Sequence, residues 1–333
     1  MRNPRFGMSI EAACCDKSLP VLRTSELGRA LRNGYVSAHV EAAWSNRAMP
    51  ANHSPTLPAP PDPVVAALRC SVCGDRVARE ARTLRCPRGH AFDLARQGYV
   101  NLLHAKVPKG TADTAEMVAA RVAFLGKGFY ESLAAALAAR ARGRMVVDAG
   151  AGTGYYLAHV LDALPQATGL ALDVSAPALK RAARAHPRLG AAVWNLWRPW
   201  PVGEGVAETV LNVFAPRNAD EFRRVLVPEG RLLVAGPGPG HLAELAESLS
   251  LLDVGADKSE RLDAALAAGF TLVERTDVTD HVTLSPDDVR NAVLMGPNAH
   301  HLHRNGLGDR LAAVAEAVRV TLSFTVSVYE KRG

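Results

Sequence analysis

From Arg144 onward, short apolar runs rich in Val, Leu and Ala alternate with segments whose apolar residues recur every three to four positions. RMVVDAG, TGLALDV, AAVWNL, ETVLNVF and RLLVAG read as strands, with YYLAHVLDAL, APALKRAARA, ADEFRRVLV and HLAELAESLSLL as the helices between and after them. Such alternation predicts a mostly parallel sheet wrapped by helices, a Rossmann-like α/β class. The chain end departs from it. FTLVERTDVTDHVTLS and VTLSFTVSVYEK read as two late strands flanking a helix, and no crossover helix follows the last strand, which predicts that this strand is antiparallel.

Upstream, TAEMVAARVAFL places Val118, Val122 and Leu125 on one helical stripe, and YESLAAALAARA continues as helix. The first 63 residues show little sustained periodicity and end in SPTLPAPPDP, which forms neither helix nor central strand. ELGRALRNGYVSAHVEAAW reads as a short helix with no core beside it. The expected organisation is an extension or mis-assigned start over 1–63 (Met49 being an alternative start), a small cysteine module over 64–106, a helical linker over 107–143 and the α/β domain over 144–333. No apolar run approaches the roughly 18 residues needed to span a bilayer, and no secretory leader is read, so the cytoplasm is the expected location. Five cysteines are too few for a disulfide scaffold.

Net charge is +2 over residues 1–63, +8 over 64–145 and −4 over 146–333. A basic segment on an otherwise acidic chain fits a polyanionic partner such as nucleic acid; it fits equally a solvated arginine-rich surface. Within that segment, CSVCGDRVAREARTLRCPRGH carries Cys70, Cys73, Cys86 and His90 in the spacing C-x2-C-x12-C-x3-H. Two short pairs joined by a hairpin-length loop suit tetrahedral zinc, with three thiolates and one imidazole. Four protein ligands leave no open position for water, so the expected role is structural. Arg76, Arg79, Arg82, Arg85 and Arg88 are expected to offset the thiolate charge. A redox CxxC would leave Cys86 and His90 unexplained. Cys14 and Cys15 have no partner and no assigned role.

In VVDAGAGTGYY, Asp148 ends a strand, and Gly150, Gly152 and Gly154 alternate before a helix. The order G-x-G-x-G is not the G-x-G-x-x-G of dinucleotide enzymes. Asp173 ends the next strand, where a carboxylate chelates ribose hydroxyls. An acid before the loop and another closing the second strand form the S-adenosylmethionine pattern. The alternative is a structural turn with a solvent-facing carboxylate.

CSVC…CPRGHAFDLARQGYVNLL, followed by DAGAGTGYY, LDVS, NVFAPRN and GPGPGHLAEL, resembles the 23S ribosomal RNA guanine-N1 methyltransferases from about residue 66 to the C-terminus. FAPRN and VLMGP resemble the tylosin-type macrolide-resistance branch more than the enterobacterial one. The resemblance implies a class I S-adenosylmethionine-dependent fold with an N-terminal zinc module that helps recognise a 23S rRNA hairpin near the peptide exit tunnel. By motif it implies that Cys70, Cys73, Cys86 and His90 hold Zn2+, that Tyr130, Gly152, Thr153 and His241 contact the cofactor, and that Asp173 binds its ribose. Tyr130 also reads as an aromatic packed on the sheet, and His241 as a capping or surface histidine. Phe214 and Pro216 stand where related folds hold the target base, although phenylalanine in an apolar strand also reads as core. Trp194, Trp197 and Trp200 either stack RNA or cover a hydrophobic edge. No residue is identified as the general base, and homodimer formation is left open. The competing functions are a small-molecule methyltransferase with a structural zinc site and a non-catalytic RNA-binding protein.

Overall fold

The computed structural model describes residues 58–104, 112–249, 258–301 and 306–332. Cys14, Cys15, Met49 and the helix expected over 26–44 lie outside the described residues.

The described chain opens with helix α1 (Asp62–Ala67), which has Pro61 at its N-cap and Asp62 in its first turn. A three-stranded antiparallel ribbon follows: β1 (Ala78–Glu80), β2 (Thr83–Arg85) and β3 (Ala91–Asp93). Beyond it, β4 (Val100–Asn101) leaves the ribbon and pairs in parallel with a strand of the main sheet. Helix α2 (Ala115–Leu125) is capped by Thr114, whose side chain accepts from Met117 N, and α3 (Glu131–Arg140) begins directly after Tyr130.

The alternating half then runs β5 (Met145–Ala149), α4 (Tyr155–Ala163), β6 (Thr168–Asp173), α5 (Ala176–Ala182), β7 (Leu189–Val193), β8 (Ala207–Val213), α6 (Ala219–Val225), β9 (Leu226–Pro237), α7 (Ala243–Leu249) and α8 (Lys258–Leu266). It closes with β10 (Phe270–Leu284), α9 (Pro286–Leu294), a 3-10 turn (Pro297–His301), α10 (Leu307–Ala312) and β11 (Val318–Lys331). The eight-stranded sheet has the order β10-β11-β9-β8-β5-β6-β7-β4. All pairings from β4 to β9 are parallel, and β11 lies antiparallel between β9 and β10. The fold is therefore the expected Rossmann-like one, with antiparallel terminal strands.

Strand alternation divides the apolar residues between two faces. Val146 of β5 faces a core shared with Phe124 of α2, Leu133 and Leu137 of α3, Leu161 of α4 and Phe324 of β11. Its neighbour Val147 faces the other core, built with Val64 of α1, Phe222 of α6 and Leu262 of α8. Leu84 and Leu94 of the cysteine module belong to this second core, so the module and the sheet bury apolar surface together. Each fully buried leucine, such as Leu133 or Leu137, contributes roughly 1.5–3 kcal/mol by leaving water. At Gly190 a Cβ would lie 2.7 Å from Val64 Cγ1, so only glycine lets α1 sit this close to β7.

The helical stripe expected in α2 is only partly buried. Val118 and Leu125 are buried, whereas Val122 is 39% exposed, and Met117, Ala120 and Phe124 complete the packed face.

Candidate functional site

Asp148, Asp173 and the loop between β5 and α4 meet at the carboxyl end of the parallel strands, where open α/β sheets hold ligands. β5 stops because Gly150 turns to φ +92°, with Gly150 N and Ala151 N both donating to Leu172 O. A side chain there would be strained twice over, since its Cβ would lie 2.2 Å from Ala215 Cβ. Asp173 Oδ2 accepts from Gly152 N and Oδ1 from Ser175 N, each at 2.8 Å. The second predicted acid thus braces the glycine loop with its own carboxylate. Burial raises its pKa, opposed by these two backbone donors.

Asp148 is 1% exposed, and neither carboxylate oxygen has a hydrogen-bond partner among the described residues. Burial first, and the Asp173 charge second, push it up to about 8. A buried orphan carboxylate fits a cationic ligand, because a positive group alongside restores the attraction it lost on leaving water. The consequence for stability has a definite sign. Between the unfolded value of about 4 and the folded value of about 8, the folded chain holds a proton that the unfolded chain has released. Ligand-free protein is expected to lose stability as pH rises through that window, by at most about 1.4 kcal/mol per pH unit from this group. Asp148→Asn should remove that component; urea unfolding at several pH values measures it.

An aromatic wall faces the loop. Tyr130 packs edge-on against Phe124 and Phe324, with centroids at 5.3 and 4.6 Å, so the packing reading of this residue holds. Its hydroxyl also lies 3.2 Å from His241 Nε2. His241 Nδ1 accepts from Ser323 N at 3.1 Å, which assigns the imidazole proton to Nε2, facing the Tyr130 oxygen. Both ring nitrogens are engaged, so His241 positions neighbouring groups and has no lone pair left to take a proton. Burial drives the Tyr130 phenol well above its ordinary range.

Phe214, directly after β8, is 45% exposed and adopts φ +52°, a conformation rare for a bulky residue. Its ring stands 6.2 Å from Tyr130 and 6.4 Å from His241. The strand-core reading of Phe214 therefore gives way to a ring presented at the site, and Pro216 is exposed beside it.

Two residues that the motifs do not reveal hold this arrangement. Asn212, buried in β8, donates to Ala149 O at 3.1 Å and to Pro216 O at 2.9 Å, tying the end of β5 to the turn after Phe214. Arg121 of α2 pairs with Asp113, donates to Met295 O at 2.6 Å, and places Nη1 3.2 Å from where a Cβ on Gly152 would be. A polar residue between apolar ones in a strand is a signal for the first; a lone arginine in a helix gives none for the second.

The cysteine cluster forms at the turns of the ribbon. One ligand atom from each of Cys70, Cys73, Cys86 and His90 lies within 4.8 Å of every other. Cys73 Sγ and Cys86 Sγ are 3.7 Å apart, and His90 Nδ1 is 3.5 Å from Cys70 Sγ and 3.3 Å from Cys86 Sγ. A tetrahedron with metal–sulfur bonds of about 2.3 Å has edges of about 3.8 Å, so the donor set fits zinc. Desolvation raises the Cys73 thiol to about 11; at Cys86, hydrogen bonds from His90 outweigh the same desolvation and bring it to about 7.

Four of the five arginines expected to offset the thiolate charge bond to carboxylates or carbonyls. Arg79 pairs with Asp62, Arg85 with Glu80 and Arg88 with Asp75, while Arg82 donates to the carbonyls of Pro58 and Ala95. Carboxylates and carbonyls, present in the ribbon and α1, compete successfully for these donors. Of the three tryptophans, Trp194 and Trp200 cover the second core, and Trp197 is 63% exposed.

Strand order, glycine loop and acidic strand ends define a class I methyltransferase fold, here joined to a Cys3His ribbon. The zinc-ribbon family model described as RlmA, N-terminal, matches residues 68–108. A 23S rRNA (guanine(748)-N(1))-methyltransferase of Streptomyces fradiae is 46% identical over 80% of this chain and 97% of its own length. A candidate 23S rRNA (guanine-N(1)-)-methyltransferase of Micromonospora griseorubida is 47% identical over 79% of this chain and 96% of its own. A further candidate of that activity from Bacillus subtilis is 32% identical over 54% and 68%, respectively. The chain belongs to the 23S rRNA (guanine-N1)-methyltransferase family. Among the described residues, no helix is long and apolar enough to cross a membrane.

Proposed function

We propose that the chain methylates N1 of one guanine in a 23S rRNA hairpin near the peptide exit tunnel, within the macrolide-resistance branch of the family. The observation that carries this reading is the meeting of the orphan carboxylate of Asp148, the braced glycine loop and the exposed ring of Phe214 at the carboxyl end of the central strands. The 46% identity to the S. fradiae protein favours the same guanine, 748.

In this reading Asp173, Gly152, Thr153, Tyr130 and His241 hold S-adenosylmethionine, and Gly150 and Gly154 shape the turn around it. Bound there, the cofactor supplies an electrophilic methyl group on a sulfonium. Asp148, buried at the end of β5, would favour a ligand that carries positive charge. Phe214 stacks the acceptor guanine, whose Watson–Crick edge is reachable only in a loop or after flipping. Its N1 must give up a proton before the lone pair can attack, and His241, with both nitrogens engaged, is not placed to take it. Cys70, Cys73, Cys86 and His90 hold a structural zinc ion, whose binding contributes folding energy to the ribbon.

Primer extension on 23S rRNA from cells with and without the gene tests the reading. A reverse-transcriptase stop at one guanine, absent in the deletion strain, is the expected result. An unchanged pattern excludes rRNA N1 methylation.

A further inference from the structure

Away from the glycine loop, a cavity of about 360 Å³ opens between the zinc-site turn 70–74 and the loop 194–204. Arg69, Ser71, Trp194, Trp200, Glu204 and Arg224 are among its lining residues. It shares no lining residue with the cofactor cleft. Its tryptophans belong to the second core, whereas Tyr130 and Phe324 belong to the first. The volume falls within the range of small-ligand pockets, about 300–1,000 Å³.

Two polar side chains here are under-partnered among the described residues. Ser71 Oγ is buried and bonds to nothing among the described residues. Arg69 is anchored through Nη1, which donates to Ala66 O and Leu68 O at 2.8 Å each; Nε and Nη2 bond to nothing among the described residues. Arg224 is fully occupied by Val202 O, Trp200 O and Glu221, and serves as wall. Glu204, exposed at the rim, adds one carboxylate acceptor.

Unused guanidinium donors, a hydroxyl and a carboxylate together match the edge of a nucleobase, with the buried indoles of Trp194 and Trp200 as the wall behind them. A simple anion fits less well, because Glu204 would repel it. We propose that this cavity is a second nucleotide-binding site, which takes one extruded, unpaired nucleotide of the RNA substrate other than the methyl acceptor. The proposal rests on the RNA reading above. Its loop also reaches the reaction centre: Leu196, whose carbonyl accepts from Trp200 Nε1 at 3.1 Å, lies 3.7 Å from where a Cβ on Gly150 would be. An occupant would therefore steady the loop that abuts the glycine turn.

The test uses the full-length zinc-loaded protein and a 23S rRNA hairpin transcript, in its parent form and in a series with one abasic nucleotide at each loop position. Glu204→Gln and Ser71→Ala are each expected to weaken binding of the parent RNA about 5- to 20-fold, leaving S-adenosylmethionine affinity unchanged. One abasic RNA should bind the unmodified protein more weakly by a similar factor and show no further loss with either variant. Zinc content and melting temperature report folding, and Glu204→Gln carries the test if Ser71→Ala disturbs the metal site. Parent-RNA affinities within twofold of the unmodified protein, or a loss that persists with every abasic RNA, overturn the cavity proposal while leaving the methylation reading intact. Failure of the unmodified protein to methylate any such RNA overturns both.

Discussion

Asp173→Ala is expected to weaken S-adenosylmethionine binding by about two to three orders of magnitude. In the ligand-free protein its carboxylate already accepts from Gly152 N and Ser175 N, so its loss frees the glycine loop from the end of β6. Hydrogen bonds to a charged group are each worth about 1.5–3 kcal/mol, and every 1.4 kcal/mol is tenfold in affinity. If Asp173 also accepts from the cofactor's ribose, as proposed, losing both the brace and that acceptor amounts to about 3–4 kcal/mol. Asp173→Asn keeps one acceptor oxygen and should lose less. Titration calorimetry distinguishes these results, and an affinity for Asp173→Ala within threefold of the parent would remove Asp173 from the cofactor site.

The second large effect concerns the Cys3His cluster. Cys86→Ser is expected to release zinc, lower the melting temperature and reduce methylation of rRNA at least ~100-fold, since the apparent binding energy of structural zinc is about 10–16 kcal/mol. Cofactor affinity should change less than tenfold. The ribbon contributes Leu84 and Leu94 to one core of the sheet, whereas the aromatic wall of the cofactor cleft belongs to the other. Metal analysis, calorimetry and a methyl-transfer assay on the same preparation separate the outcomes. Unchanged methylation with zinc absent would show that the ribbon has no part in substrate recognition.

Much of this was legible from spacing. Strand–helix alternation predicted the sheet, and the missing crossover helix predicted the antiparallel strand β11. The four cluster residues could be paired because a turn fixes the reach of each short pair. What the sequence concealed depends on partners distant along the chain. Val122 belongs to a helical stripe in sequence but is partly exposed, because the face carrying Met117, Ala120 and Phe124 is the one that packs, with α9 and α5 as the helix's neighbours. Arg85 and Arg88 stand next to the sulfur ligands in sequence yet turn to Glu80 and Asp75. Phe214 looked like the end of a strand, and only its left-handed backbone shows that the strand has finished. Asn212 and Arg121 act across 63 and 174 positions respectively, so a local pattern marks the first only as an unusual strand residue and the second not at all.

Val100 and Asn101 form a strand of two residues, yet they join the ribbon to Ala192 and Val193 of β7. Leu102 N continues the ladder to Val193 O at 3.2 Å, and the next residue of β7, Trp194, begins the loop beside the glycine turn. The ribbon is thereby set at a fixed offset from the glycine loop, as one jaw of a caliper is from the other. Under the RNA reading, a stem one pair longer would bring a different nucleotide to that loop. Such an enzyme would choose its guanine by span as well as by base.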